Sequence, residues 1–208
     1  MVRRRIRIRF RKEGDLRWVG HLDLLRAWER LLRRAQVALV MTEGCHPRPR
    51  MSLPSALPMG EEGHDEVLEV DFSGPQSLDE LRAALARSAP AGLVVTHIEE
   101  TSPLARAAML RETAYEVSLP AQHRQAAAHR TAQLLAQATL PVARDGAPTV
   151  DLRDFLVGAD VTAGVLRFRI RASRERNLRA RDVLAALGLN DLREGGIYPA
   201  RTQVVLET

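Results

Sequence analysis

The chain has 208 residues, of which 45% are apolar and 27% are charged, enough for one large domain or two small ones. No stretch approaches the roughly 20 consecutive apolar residues of a membrane span. The single cysteine, Cys45, excludes a disulfide framework and a four-cysteine zinc site within one chain. We therefore expect no membrane partner and a reducing cytoplasm as the location.

Positive charge is concentrated in the first quarter of the chain. Residues 1–50 contain 14 basic and 5 acidic side chains, a net charge of +9, whereas the whole chain carries +5 and the remainder therefore −4. Such asymmetry indicates an acidic partner, most commonly a nucleic acid. Lys12 is the one lysine among 31 basic residues, and a GC-rich genome would also produce this preference for arginine over lysine. Such a preference explains why the basic residues are arginines, but not why they cluster in residues 1–50.

The first half of the chain predicts two helices and four strands. Strict alternation over residues 5–11 predicts a strand with its apolar side chains inward and its arginines outward. Leucines at helical spacing predict the first helix, and prolines between residues 44 and 60 exclude a helix there. In chain order we expect a strand at 5–11, a helix at 20–36, strands at 37–41 and 66–72, a helix at 78–88 and a strand at 93–98.

The second half predicts the same order of elements. We expect a strand at 114–119, a helix at 121–138, strands at 150–157 and 165–171, a helix at 178–187 and a strand at 202–206. Each half therefore follows the order β-α-β-β-α-β. This order predicts an α+β protein of two tandem ferredoxin-like sandwiches, with domains at residues 1–100 and 112–208.

Several short motifs in residues 5–72 are similar to those of one bacterial family. They are Lys12-Glu13-Gly14, Gly20-His21-Leu22-Asp23-Leu24, Arg33-Arg34-Ala35, His46-Pro47-Arg48-Pro49-Arg50 and Ala56-Leu57-Pro58-Met59-Gly60. In order and spacing they resemble an uncharacterised family usually called radical SAM-linked protein. Its members are found beside a radical SAM enzyme or fused to its C-terminal end, so the resemblance implies a radical SAM enzyme as partner. The chain itself cannot be that enzyme, because the cluster needs three cysteines.

Six arginines are candidates for contacting phosphates, and each has a purely structural alternative. Those of the first strand would line an open sheet face, or be balanced by acids on neighbouring strands. Those of the first helix would form a basic stripe, or a salt-bridged surface with Glu29. Those between the prolines are held stiffly for recognition, or simply cover the sheet edge. The six candidates are Arg7, Arg9, Arg30, Arg33, Arg48 and Arg50.

The eight aromatic residues are scattered along the sequence, so we expect phosphate contacts rather than base stacking. Six residues are expected to shape the helix start and the proline-rich loop: His21, Asp23, Gly44, Pro47, Pro49 and Gly60.

Signals for catalysis are weak. His21 and His46 could act as general acid and base in RNA cleavage, but His21 is also an ordinary residue for a helix terminus. A metal site could be assembled from Cys45, His46, His64 and a carboxylate, although no recognised ligand spacing supports it. Nucleotide-binding and hydrolase motifs are absent from the sequence. We expect no metal and no cofactor.

These observations predict a non-enzymatic RNA-binding module that presents RNA to a radical SAM RNA-modifying enzyme. Two alternatives remain open at this point. The basic surface could dock on an acidic face of the radical SAM partner without touching RNA. The chain could instead be a metal-independent RNA endonuclease.

Overall fold

The computed structural model describes residues 3–75, 77–102, 107–144, 147–173 and 178–207. The chain divides into two units, Met1–Met109 and Leu110–Thr208. Each unit combines two helices with a mostly antiparallel sheet, which confirms the α+β class. The described helices all lack the combination of length and apolar character that crossing a bilayer requires.

The first unit places two helices on one face of its sheet. Its strands lie in the order β4-β1-β3-β2, with antiparallel pairing throughout. The elements are β1 (Arg4–Lys12), α1 (His21–Arg34), β2 (Met51–Ser52), β3 (Glu62–Phe72), α2 (Leu78–Ser88) and β4 (Leu93–Thr101).

Alternation along β1 builds the core of this unit, as predicted. Ile6, Ile8 and Phe10 are fully buried, and the arginines between them project from the opposite face. Phe10 meets the ring of Trp28 on α1 edge to face, with ring centroids 4.9 Å apart. The helices therefore cover the apolar face, and the charged face of the sheet is left for ion pairs or a ligand.

The predicted strand at residues 37–41 is confirmed only in part. The segment forms two isolated bridges, Leu39 to Phe72 and Met41 to Pro49, and the Val40 N–H donates to the Asp71 carbonyl at 2.9 Å. The second strand of the unit is instead the short β2, which pairs with β3. Prolines explain its brevity, because each one removes a backbone N–H donor from the ladder.

The second unit also has two helices and a four-stranded sheet, ordered β10-β5-β9-β8, with a separate β6-β7 hairpin. Its elements are β5 (Leu110–Ser118), α3 (Ala121–Ala136), β6 (Pro141–Arg144), β7 (Ala147–Asp151), β8 (Leu156–Thr162), β9 (Val165–Arg171), α4 (Ala180–Ala186) and β10 (Ala200–Leu206).

The predicted strand at residues 150–157 is wrong, because a 3₁₀ turn at Leu152–Asp154 divides it. The Asp151 side chain accepts hydrogen bonds from the backbone N–H groups of Arg153 and Leu140, at 2.9 and 2.8 Å. Aspartate side chains stabilise turns in this way by competing with the strand ladder.

The tight turn between β8 and β9 allows a stabilising substitution. Ala163 and Gly164 both have positive φ, 53° and 76°, and the pair Thr162–Val165 closes the hairpin. Two-residue turns of this kind favour asparagine at the first position, where alanine is strained. We expect Ala163→Asn to raise the free energy of unfolding by about 0.5–1 kcal/mol, measured by urea denaturation. An unchanged or lower midpoint would contradict this expectation.

Candidate functional site

The arginines of β1 are matched by carboxylates on the strands at either side. Arg5 donates to Asp71 at 3.1 Å. Arg7 reaches Glu69 on β3 at 2.9 Å and Glu99 on β4 at 3.3 Å, and Arg9 donates to Asp65 at 2.7 Å. The register of the sheet brings these acids beside β1 from 56 to 92 positions away in sequence.

This charged face is substantially buried. Glu69 and Asp71 are only 4% and 5% exposed, and the second oxygen of Glu69 accepts a hydrogen bond from the backbone N–H of Ala108 at 2.8 Å. Removing one partner of such a pair leaves a buried charge uncompensated, at a high cost in stability. The guanidinium groups of Arg7 and Arg9 are therefore engaged inside the unit.

At the start of β1, on the face opposite to Arg5 and Arg7, Arg4 forms two hydrogen bonds with Glu100, at 3.0 and 2.6 Å. This contact with Arg4 holds the pKa of the Glu100 carboxyl below its usual range and raises the pKa of Arg4. Both groups stay charged at neutral pH, so the charge of Arg4 is balanced within the unit as well.

Helix α1 exposes a second set of arginines. Two of them pair within the helix, Arg26 with Asp23 at 2.9 Å and Arg33 with Glu29 at 2.9 Å. Arg30 and Arg34 are exposed, and no carboxylate among the described residues pairs with either. The outer side of α1 therefore keeps positive charge that the protein itself does not neutralise.

The proline-rich segment forms a projecting hairpin. Thr42 N–H donates to the Arg48 carbonyl at 2.7 Å, and Arg48 N–H donates to the Thr42 hydroxyl at 3.0 Å. The tip, residues 43–47, is exposed throughout and includes Cys45, His46 and Pro47. Gly44 has φ of +122°, which only glycine adopts readily. The hairpin holds the exposed Arg48 at its base.

The residues that follow anchor this hairpin to the sheet. Pro49 is buried. Arg50 N–H donates to the Val40 carbonyl at 2.8 Å, and the Arg50 carbonyl accepts from Asp71 N–H at 2.9 Å. The Arg50 side chain is half-buried, and its Nε has no hydrogen-bond partner among the described residues. Arg50 is thus less accessible to a ligand than Arg48.

Lys12 secures the entry to α1, a role that sequence reasoning missed. Its buried ammonium donates to the carbonyls of Arg17 and Val19 at 3.2 and 2.8 Å. Gly60, with φ of +90°, donates its N–H to the same Arg17 carbonyl at 3.0 Å. The sequence feature that could have indicated this role is that Lys12, the one lysine of the chain, ends an alternating strand.

His21 and Asp23 were expected to shape this junction. His21 is the first residue of α1, follows the N-cap Gly20 and makes no capping hydrogen bond, while Asp23 bonds to Arg26. The junction is held by Lys12 and Gly60 instead, because their donors reach carbonyls that would otherwise be unsatisfied.

The two candidate catalytic histidines belong to different segments. His21 is half-buried at the start of α1, and His46 is exposed at the hairpin tip. Within the described ranges, no three His, Cys, Asp or Glu side chains are grouped to hold a metal ion. His21 and His46 are thus carried by separate elements, α1 and the hairpin tip.

The second unit has a shallow concavity of 320 Å³ on its sheet. It is lined by small residues such as Ala114, Gly158 and Thr202, and by two arginines of β9. Arg167 pairs with Glu116 at 3.0 Å, and Arg169 pairs with Glu112. As on β1, carboxylates of a neighbouring strand neutralise these arginines.

Comparison with known proteins gives one extensive match. A model of a family described as an uncharacterised protein conserved in bacteria matches residues 5–180. No curated protein matches the chain.

Solved structures show only remote similarity. An unknown protein from Galdieria sulphuraria is 12% identical, with both chains fully covered and a TM-score of 0.31. A putative glycine cleavage system transcriptional repressor is 12% identical, with both chains fully covered and a TM-score of 0.33. The acetolactate synthase small subunit from Thermotoga maritima is 13% identical over 100% of this chain and 97% of its own, with a TM-score of 0.29. Scores this low carry no argument about function.

Proposed function

We propose a function for this chain from the premise that it belongs to DUF2344, the uncharacterised family conserved in bacteria whose model matches residues 5–180. The chain is a non-enzymatic, cytoplasmic RNA-binding module that presents RNA to a radical SAM RNA-modifying enzyme. Positive charge left unpaired on the surface supports the RNA part. The enzyme partner rests on the resemblance of residues 5–72 alone.

The observation that carries the proposal is the difference between two sets of arginines. Those of β1 are held in ion pairs with β3 and β4. Arg30 and Arg34 on α1, and Arg48 at the hairpin, are exposed and have no carboxylate partner in the described part of the chain. Residues four positions apart on a helix are about 6 Å apart along its axis, so Arg30 and Arg34 present two neighbouring positive charges suited to a phosphate backbone.

The six arginines expected from the sequence are therefore only partly retained as phosphate contacts. Arg30 and Arg48 remain proposed contacts and Arg34 joins them, whereas Arg33 pairs with Glu29. Arg7 and Arg9 are assigned to the stability of the sheet, and Arg50 to anchoring the hairpin. No catalytic role is proposed for His21 or His46.

We also propose that the two units are a tandem ferredoxin-like duplication. The strand orders β4-β1-β3-β2 and β10-β5-β9-β8 support it, because the fourth, first, third and second strands occupy the same positions in each.

The test is binding to ribosomal and transfer RNA across a salt series. Each phosphate contact contributes a log–log slope of about −0.9 on duplex and about −0.7 on single strands. In the double variant Arg30→Ala/Arg34→Ala we expect the slope on duplex to become shallower by about 1.8. At 0.1 M salt that corresponds to roughly a 60-fold loss of affinity.

The double variant Arg82→Ala/Arg87→Ala is the matched control, because it removes the same charge from α2 and both residues are exposed. It should leave the slope nearly unchanged. Equal losses in the two variants would show non-specific attraction and contradict the assignment to α1. No binding at about 50 mM salt would overturn RNA binding and favour docking on a protein partner, and cleavage of the RNA by the wild-type chain would contradict a non-enzymatic role.

A further inference from the structure

An exposed apolar cluster lies at the start of α1. Trp18, Leu22 and Met59 are 47%, 66% and 61% exposed. Trp18 and Leu22 lie two positions before and after Gly20, and a Cβ at Gly20 would lie 3.9 Å from the Met59 sulfur. Scattered exposed apolar residues need no explanation, whereas a contiguous exposed apolar patch marks an interaction site. We call these three residues the Trp18 platform.

The fold holds the platform in place before any ligand binds. The carbonyls of Arg17 and Val19, on either side of Trp18, are both bonded to the buried ammonium of Lys12. Gly60, next to Met59, donates to the Arg17 carbonyl at 3.0 Å. Rigid placement of the contact residues lowers the entropic cost of binding.

The positive charges near the Trp18 platform indicate which class of ligand binds there. The guanidinium of Arg17 lies over the Trp18 ring, 5.1 Å from its centroid. Leu22 lies on the outer side of α1, and at ~100° per residue Arg30 follows within a quarter turn of it and Arg34 within a third of a turn. Neither of these two exposed arginines pairs with a carboxylate among the described residues. An apolar, aromatic surface that continues into exposed arginines matches a strand of unpaired bases and phosphates better than an uncharged apolar peptide.

We infer that the Trp18 platform stacks unpaired bases of a single-stranded RNA segment whose phosphates follow the outer side of α1. The inference rests on the proposed RNA-binding function and narrows its ligand to single strands. Every base offers a π-face, so this mode tolerates different sequences. It replaces the expectation that the chain contacts phosphates without stacking bases.

The chain itself supplies the reporter for the test. Trp18 and Trp28 are the two tryptophans, and Trp28 is fully buried. A 12-nucleotide oligoadenylate should therefore quench the Trp18 emission and protect it from acrylamide, whereas Trp18→Phe should abolish the change in emission. We expect Trp18→Ala to weaken oligoadenylate binding about fivefold to a hundredfold, the range for losing one stacking aromatic. Trp18→Phe should retain most of the affinity, because phenylalanine also stacks.

A duplex RNA of the same length is the matched ligand, since its bases are already paired and stacked. Its affinity should change less than twofold in Trp18→Ala. If oligoadenylate binds with the expected salt slope but neither Trp18 emission nor the affinity of Trp18→Ala changes, the platform is refuted and the proposed function stands. If neither RNA binds, the proposed function fails. Equal losses for both RNAs, or a dimer in sedimentation that Trp18→Ala dissociates, would also overturn the stacking role.

Discussion

Lys12→Met is expected to lower the free energy of unfolding of the first unit by about 1–3 kcal/mol. The substitution keeps an unbranched apolar chain but removes the ammonium that bonds to the carbonyls of Arg17 and Val19. The Arg17 carbonyl still accepts the Gly60 N–H, whereas the Val19 carbonyl loses its bond to Lys12. Lys12 is 1% exposed, so water cannot readily replace it, and an unsatisfied buried acceptor costs about 1–3 kcal/mol. Urea denaturation measures the change.

Arg11→Met is the matched control, because it removes a cation from the neighbouring position of the same strand. Arg11 projects from the other face, with 45% of its side chain exposed, and pairs with Glu13 at 2.6 Å. Exposed ion pairs contribute about 0–1 kcal/mol. A similar effect for the two substitutions would contradict the structural role of Lys12. Because Lys12 also supports the Trp18 platform, Lys12→Met should make Trp18 more accessible to acrylamide.

Gly92→Ala is the second substitution for which we expect a large effect, a loss of about 2–4 kcal/mol. Gly92 has φ of +84°, and a Cβ there would collide with the carbonyl oxygen of Glu13. The Gly92 carbonyl also accepts the Glu13 N–H at 2.9 Å, so relief of the collision would break that bond. A non-glycine residue in this backbone region costs about 1–2 kcal/mol by itself, and the collision adds to it.

Gly14→Ala separates the cost of a positive φ from the cost of the collision with Glu13. Gly14 has φ of +60°, but a Cβ there would meet nothing within 4 Å. We expect this variant to show the conformational cost alone, about 1–2 kcal/mol. Thermal or urea unfolding of both variants compares them directly. If Gly14→Ala is as destabilising as Gly92→Ala, the contact with Glu13 contributes nothing.

Periodicity located the elements with strong patterns. In β1, β9, α1 and α2, one face of each element must be buried. This requirement sets the spacing of the apolar residues, and that spacing is visible within a few positions of sequence. The predictions were incomplete at residues 37–41, where strand pairing is limited to isolated bridges, and wrong at residues 150–157. There the Asp151 turn replaces ladder hydrogen bonds with local ones, which the periodicity of the sequence does not reveal.

From the sequence alone come the α+β class, the apolar faces of the helices and strands, the excess of arginine near the N-terminus and the stiffness of the proline-rich segment. Which arginines keep their charge free depends on the tertiary structure. In the sequence, Arg7 and Arg9 belong to a segment with a strongly positive net charge. In the sheet they lie beside Glu69 and Asp65, because antiparallel register brings together residues remote in sequence. The same long-range packing buries Trp28 and leaves Trp18 exposed, since burial depends on what packs against a side chain and not on its identity.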